Sequence, residues 1–69
     1  MDYLQLLNIA TSGGGLIIDA KRLDYLQLLN IAGAKKAPLI IRNASALDFL
    51  QCVNIAAAGK GNVTFDFTS

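Results

Sequence analysis

The sequence predicts an α/β protein made of three helix–loop–strand repeats, with a parallel sheet on one side and the helices on the other. The first observation behind this prediction is a repeated nonapeptide. Asp2–Ala10 and Asp24–Ala32 both read DYLQLLNIA, and Asp48–Ala56 reads DFLQCVNIA, which matches at six positions of nine. The second observation is that a short β-branched or aromatic segment follows each copy: LIID, LIIR and VTFD. The copies begin 22 and 24 residues apart, a spacing within the range of ~20–50 residues that is typical of stacked repeats.

The repeat also predicts the domain organisation. The 69 residues suffice for one domain. We expect a short open solenoid over residues 1–69, with units at approximately 1–22, 23–46 and 47–69. The nine-residue identity between the first two copies indicates either a recent duplication or a consensus or engineered sequence.

The nonapeptide is predicted to be an amphipathic helix. On a helical wheel its second copy has one wide apolar arc, formed by Tyr25, Leu26, Leu28, Leu29 and Ala32. The opposite side carries Asp24, Gln27 and Asn30. The aspartate at the start suits the positive end of a helix dipole. In the third unit, Ser45 to Asp48 is interpreted as a capping box in which Asp replaces the usual Glu.

The segments Leu16–Ala20, Leu39–Asn43 and Val63–Phe67 are predicted strands, because they are short, rich in β-branched or aromatic residues, and bounded by Gly or Pro. Strands that alternate with helices pair in parallel. Since side chains alternate across a strand, one set should face the helices: Leu16, Ile18, Leu39, Ile41, Val63, Phe65 and Phe67. The other set should face away from them: Ile17, Asp19, Ile40, Arg42, Thr64 and Asp66.

Within that outward set, Asp19, Arg42 and Asp66 should form one column of alternating charge across the three strands. Opposite charges on neighbouring strands stabilise a sheet by roughly 0.2–1 kcal/mol per pair. We therefore interpret the column as a set of ion pairs that lowers the pKa of both aspartates, and not as a general acid paired with a general base.

Composition argues against several classes of function. Cys52 is the single cysteine and there is no histidine, which excludes an internal disulfide and argues against a zinc site and a histidine-dependent nucleophile. The net charge of +1 gives no electrostatic reason to expect nucleic acid or an anionic membrane. No leader peptide and no membrane-spanning stretch is recognisable, so the reducing cytosol is the default expectation. No cofactor motif is present, because the glycines at 13–15 follow a helix and precede a strand, the reverse of a phosphate-binding loop.

Asparagine and glutamine each recur at one fixed position of every repeat. The asparagines are Asn8, Asn30 and Asn54, and the glutamines are Gln5, Gln27 and Gln51. Stacked repeats would place each set in a row. The structural interpretation is a ladder of amide hydrogen bonds or the capping of loops, and the functional one is a row of ligand-binding amides.

The stretch Leu23–Asn30, LDYLQLLN, resembles the leucine-rich repeat motif LxxLxLxxN, with its asparagine one position early. The resemblance implies an α/β solenoid with a sheet face available for binding. Leucine-rich repeats place their strand on this motif, whereas here LIID and LIIR compete for that role. The resemblance therefore transfers an architecture and no functional residue.

The functional expectation follows from the repeat. Solenoids need polar caps on their terminal units, and here the last strand carries Phe65 and Phe67 with neither lysine nor proline as a guard. We expect a non-enzymatic scaffold that self-associates through its uncapped ends, with a second copy as partner. The alternative is a module that binds another protein through Ile17, Asp19, Ile40, Arg42, Thr64 and Asp66 on the outward sheet face. An enzyme ranks third, since no catalytic constellation is recognisable.

Overall fold

A computed structural model describes residues 2–68, and within them three helices alternate with three parallel strands in one open sheet. This confirms the predicted α/β class. The helices are α1 (Tyr3–Thr11), α2 (Tyr25–Ala34) and α3 (Phe49–Ala58). The strands are β1 (Leu16–Asp19), β2 (Leu39–Arg42) and β3 (Val63–Phe65), in the order β1-β2-β3.

Each helix begins with a capping box formed by the Asp and Gln of the repeat. The carboxylate of Asp24 accepts a hydrogen bond from the backbone N–H of Gln27 at 2.8 Å, and the Gln27 side chain accepts one from the Asp24 N–H at 3.2 Å. The same reciprocal pair starts α1 with Asp2 and Gln5, and α3 with Asp48 and Gln51. The box satisfies two backbone donors that the first helical turn leaves without partners.

The capping box predicted at Ser45 is wrong. Ser45 lies inside a short 3-10 helix, Ala44–Ala46, and Asp48 is itself the N-cap of α3. Because Gln5, Gln27 and Gln51 each complete a capping box, the glutamine row has a local structural role. This agrees with the capping interpretation of these amides. The stretch that resembles a leucine-rich repeat forms α2, so it does not adopt the strand of that family.

The strands pair in the predicted register. Leu16, Leu39 and Val63 lie side by side, and the next two positions of each strand follow in step. Neighbouring strands are joined through a helix, and the helices pack in sequence, α1 against α2 and α2 against α3. Each unit therefore contacts chiefly the unit before or after it, as in other stacked repeats.

The core lies between the helices and the inner face of the sheet. Its fully buried large side chains are Leu28, Ile31, Leu39, Ile41 and Ile55. Among the described residues, no polar or charged residue is buried. The alternation prediction is confirmed for these strands, since Ile18, Leu39 and Ile41 are buried while Ile17 is 66% exposed.

The last strand is shorter than predicted. β3 ends at Phe65, and Phe67, predicted to face the helices, is instead 59% exposed. The carboxylate of Asp66 accepts a hydrogen bond from the Thr68 N–H at 2.9 Å, and this local bond competes with strand extension. Phe67 stacks on Phe65 with ring centroids 6.3 Å apart. Phe65 itself is half-buried and packs against the core.

Candidate functional site

The outward sheet face carries two of the rows that the sequence predicts. In the first row, Ile17 pairs with Ile40, and Ile40 pairs with Thr64. Ile17 and Thr64 are exposed, and Ile40 is half-buried. This face therefore presents a strip of two isoleucines and one threonine, of which Ile17 and Thr64 are open to solvent.

The second row is the predicted charge column. Asp19 lies opposite Arg42 in the register of β1 and β2, and Asp66 follows directly after β3. Hydrogen bonds from the side chain and backbone of Thr68 lower the pKa of Asp66, and the charge of Arg42 adds to this effect. The pKa of Asp66 therefore shifts in the expected direction, with Arg42 as a secondary cause.

The pKa of Asp19 is also lowered, for different reasons. The main cause is the Lys21 backbone N–H, which donates to the Asp19 carboxylate at 2.8 Å, and the second is the side chain of Asn43. The positive charges that contribute belong to Arg22 and Lys21. The predicted ion pair with Arg42 is thus not the origin of the shift. Local hydrogen bonding holds this carboxylate instead.

A cleft of about 550 Å³ opens at the carboxyl ends of β1 and β2. Its polar lining combines Asp19 and Arg42, which were predicted site residues, with Arg22 and Asn43, which were not. Its apolar lining comes from Leu6, Ile17, Ile18 and Leu23. The lining residues that were not predicted as site residues are Leu6 on α1, Arg22 and Leu23 on the loop after β1, and Asn43 just beyond β2. The general tendency of α/β sheets to place ligands at the carboxyl ends of strands is the signal that points to them.

Neighbouring units are joined by a recurring hydrogen bond between a tyrosine and an asparagine. The side-chain amide of Asn30 donates to the Tyr3 hydroxyl at 3.2 Å, and that of Asn54 donates to the Tyr25 hydroxyl at 3.0 Å. The asparagine row is therefore structural at Asn30 and Asn54. Its partners are tyrosines of the preceding helix, however, and not other amides.

The outer side of α3 exposes positions that earlier units cover. Phe49 and Val53 are 78% and 45% exposed. Their counterparts in α2, Tyr25 and Leu29, are partly buried and pack against the core. The Tyr25 hydroxyl accepts a hydrogen bond from Asn54 of the following helix, and within the described residues no helix follows α3. Unit 3 thus ends in an open apolar surface, which we call the α3 face and define as Phe49 and Val53.

The outer side of α1 shows the reverse pattern. Ile31 and Ile55 are fully buried, but their counterpart Ile9 is only half-buried. Ile31 and Ile55 belong to helices that pack against a preceding helix, and Ile9 does not. We define Ile9 and the neighbouring Asn8 as the α1 face. The α1 face is what the α3 face would meet if another unit continued the stack.

Cys52 is half-buried on α3, and burial raises the pKa of its thiol, with a further contribution from the charge of Asp48. The thiol is therefore protonated at neutral pH, a poor state for a nucleophile. Across residues 2–68, His, Cys, Asp and Glu form no group of three or more that could hold a metal ion. In the same range, none of the helices has the length and apolar character needed to cross a membrane.

Comparison with protein-family models, with curated proteins and with solved structures found no match for the chain.

Proposed function

We propose that this protein is a non-enzymatic repeat scaffold that associates head to tail, with the α3 face of one copy docked on the α1 face of the next. One observation carries the proposal: positions that are covered inside the stack are exposed at its ends. Phe49 is 78% exposed, whereas Tyr25, at the same position of the preceding unit, is packed against the core.

The two faces are complementary because each lacks a neighbouring helix, and the other face provides one. Ile31 and Ile55 are fully buried where a preceding unit is present, so the half-buried Ile9 has room for the same contact. Burial of apolar surface contributes roughly 25 cal/mol per Å². A junction between two copies would therefore use the same driving force as the junctions inside one chain. Such a head-to-tail contact produces a ring where it closes and a fibre where it does not.

The junction between copies would lack one hydrogen bond that the internal junctions contain. Inside the chain, Asn30 and Asn54 donate to tyrosines of the preceding helix. In a head-to-tail contact, Asn8 would face Phe49, which has no hydroxyl. A typical hydrogen bond contributes about 0.5–1.5 kcal/mol. The external junction is therefore weaker than the internal ones, and association should depend on protein concentration.

The test is the solution mass of the full chain, measured by light scattering after size exclusion over a hundredfold concentration range. We expect the mass to rise above the 7.3 kDa of one chain. Phe49→Asp and Val53→Asp should each restore the monomer by placing a charge in the junction. Leu26→Asp is the matched control, because Leu26 is equally apolar and 65% exposed but recurs as exposed Leu4 and Leu50, away from the junctions. A wild-type monomer at every concentration would contradict the proposal.

A second candidate function is binding of another protein through the outward sheet face. The observation that favours it is the exposed Ile17, which lies beside Ile40 and Thr64 and next to the charges of Asp19 and Arg42. Peptides selected from a displayed library on the wild-type protein should lose binding to Arg42→Glu while the circular dichroism spectrum is unchanged. Peptides that bind both proteins equally would exclude this face as the binding site.

A further inference from the structure

We infer that the cleft at the carboxyl ends of β1 and β2 binds a small amphipathic anion, a molecule with an apolar body and a carboxylate or phosphate head. The inference does not depend on the proposed association. Its first support is size, since the cleft of about 550 Å³ falls within the ~300–1,000 Å³ usual for small-molecule sites.

The second support is the division of the lining into an apolar and a polar part. Leu6 of α1 and Leu23 of the loop before α2 contribute aliphatic surface, together with Ile17 and Ile18 of β1. Sites for small molecules combine such walls with a few convergent polar groups. The apolar part would hold the body of the ligand.

The third support is the charge of the polar part. Arg22 and Arg42 place two guanidinium groups on the cleft against the single carboxylate of Asp19. That carboxylate already accepts the Lys21 N–H at 2.8 Å. Lys21 lies close enough to Asp19, and Arg42 to Asp66, to lower the pKa of those carboxyl groups. Outside the lining, Lys21 and Asp66 thus add one charge of each sign, so the surplus of one positive charge on the cleft remains and favours an anion.

The fourth support is the geometry of the chain at the end of β2. Asn43 adopts φ +56°, a left-handed conformation that is uncommon for residues other than glycine. It turns the chain directly after Arg42, and both residues line the cleft. Arginine presents a planar fork of donors that matches carboxylate and phosphate oxygens. The arginines would bind the head of the ligand.

The experiment is a titration of the full-length protein followed by NMR of its backbone amides, with four probes that share an octyl chain. Octanoate and octyl phosphate carry the proposed heads, octanol is neutral, and octyltrimethylammonium is cationic; all are used below the concentrations at which they form micelles. We expect saturable shifts centred on residues 17–23 and 42–43, with at least one anion binding about tenfold more tightly than octanol. The tighter-binding anion identifies the head group.

Variants then test the arginines. Arg22→Gln and Arg42→Gln should each weaken binding of the anion about three- to tenfold, as expected for loss of one charge-assisted hydrogen bond at a partly exposed site. Neither should change the weak binding of octanol. Lys36→Gln is the matched control, because Lys36 is an exposed cation at the opposite end of β2.

A salt titration of the wild-type protein gives a test that needs no variant. Raising the ionic strength should weaken binding of the anion and leave binding of octanol nearly unchanged. Equal affinity for octanol and both anions, shifts spread evenly along the chain, or an equal loss in Lys36→Gln would each overturn the inference.

Discussion

The first two helices begin with the same eight residues, YLQLLNIA, and yet bury them differently. In α2, which has a neighbour on each side, Leu28, Ile31 and Ala32 are buried. In α1, which has a neighbour on one side, only Ala10 is buried, and Leu6 and Ile9 are partly exposed. Burial in this protein is therefore a property of position in the stack. Each unit is therefore stabilised largely by contacts with its neighbours.

The clearest test of this difference between α1 and α2 is to make the same substitution at equivalent positions of the two helices. Leu28→Ala should destabilise the protein by about 2–5 kcal/mol, because it leaves a cavity at a fully buried site. Leu6→Ala should cost about 1–2 kcal/mol, because part of that side chain already contacts water. Urea unfolding at low protein concentration measures both changes.

If Leu28→Ala does not fold at all, Ile31→Val and Ile9→Val repeat the test with a smaller deletion. Ile31→Val should cost about 1 kcal/mol and Ile9→Val clearly less. An equal decrease in the free energy of unfolding at the two positions of either pair would show that neighbouring helices do not determine how much these side chains stabilise the fold.

Removal of a capping box tests whether the middle helix matters more than a terminal one. Asp24→Ala should cost about 1 kcal/mol, because it removes the acceptor of the Gln27 N–H at the start of α2. Asp2→Ala removes the same bond from α1 and should cost less, because α1 packs against a neighbour on one side only. Hydrogen exchange of the first-turn amides and urea unfolding report the difference. A larger decrease in the free energy of unfolding for Asp2→Ala than for Asp24→Ala would show that the start of α1 matters more to stability than the start of α2.

The tyrosine hydroxyls can be removed from the internal junctions and added to the outer one. Tyr25→Phe should destabilise the fold by about 0.5–1 kcal/mol, because Asn54 loses its acceptor. Phe49→Tyr should leave the stability of the monomer unchanged and strengthen association, since Asn8 of a second copy would gain an acceptor. Analytical ultracentrifugation measures the second effect, and weaker association of Phe49→Tyr than of the wild type would contradict the proposed geometry.

The smallest effect concerns pH and compares the two aspartates at the carboxyl ends of the outer strands. Hydrogen bonds lower the pKa of Asp19 and of Asp66 in the folded protein. Their contribution to stability is therefore present above the pKa of the unfolded chain, ~3.9, and is lost as pH falls through the lowered pKa. Asp66→Asn should be less stable than the wild type at pH 7, and the difference should shrink as the pH falls through the lowered pKa of Asp66. A difference that does not shrink with falling pH would assign the loss to packing.

The sequence was sufficient to predict the order of elements, because helix and strand periodicities each place apolar side chains on one face. It also predicted the register that sets Asp19 beside Arg42. It did not predict the bond of Tyr3 with Asn30, because the partners lie 27 residues apart and their meeting depends on how the helices pack. The cleft escaped prediction for a similar reason, since its lining comes from a helix, two strands and a loop.

The errors have local causes. Ser45 and Phe67 fit the patterns of a cap and of an inward strand residue, but nearby polar groups take precedence. The Asp48 and Gln51 side chains satisfy the start of α3 without Ser45. The Asp66 carboxylate binds the Thr68 N–H, and the regular alternation of β3 stops before Phe67.

The identical start of α1 and α2 also has a consequence for how the chain folds. Because the residues DYLQLLNIA of either helix satisfy the same contacts, α1 of one molecule can occupy the place of α2 in another while the chain is still collapsing. Such exchange yields domain-swapped or frame-shifted species that must dissociate before the native pairing forms. The third copy, with Phe49, Cys52 and Val53, differs from both, and this difference should limit such exchange to the first two units. Refolding should slow as concentration rises, and it should slow less when α1 is recoded with different apolar residues.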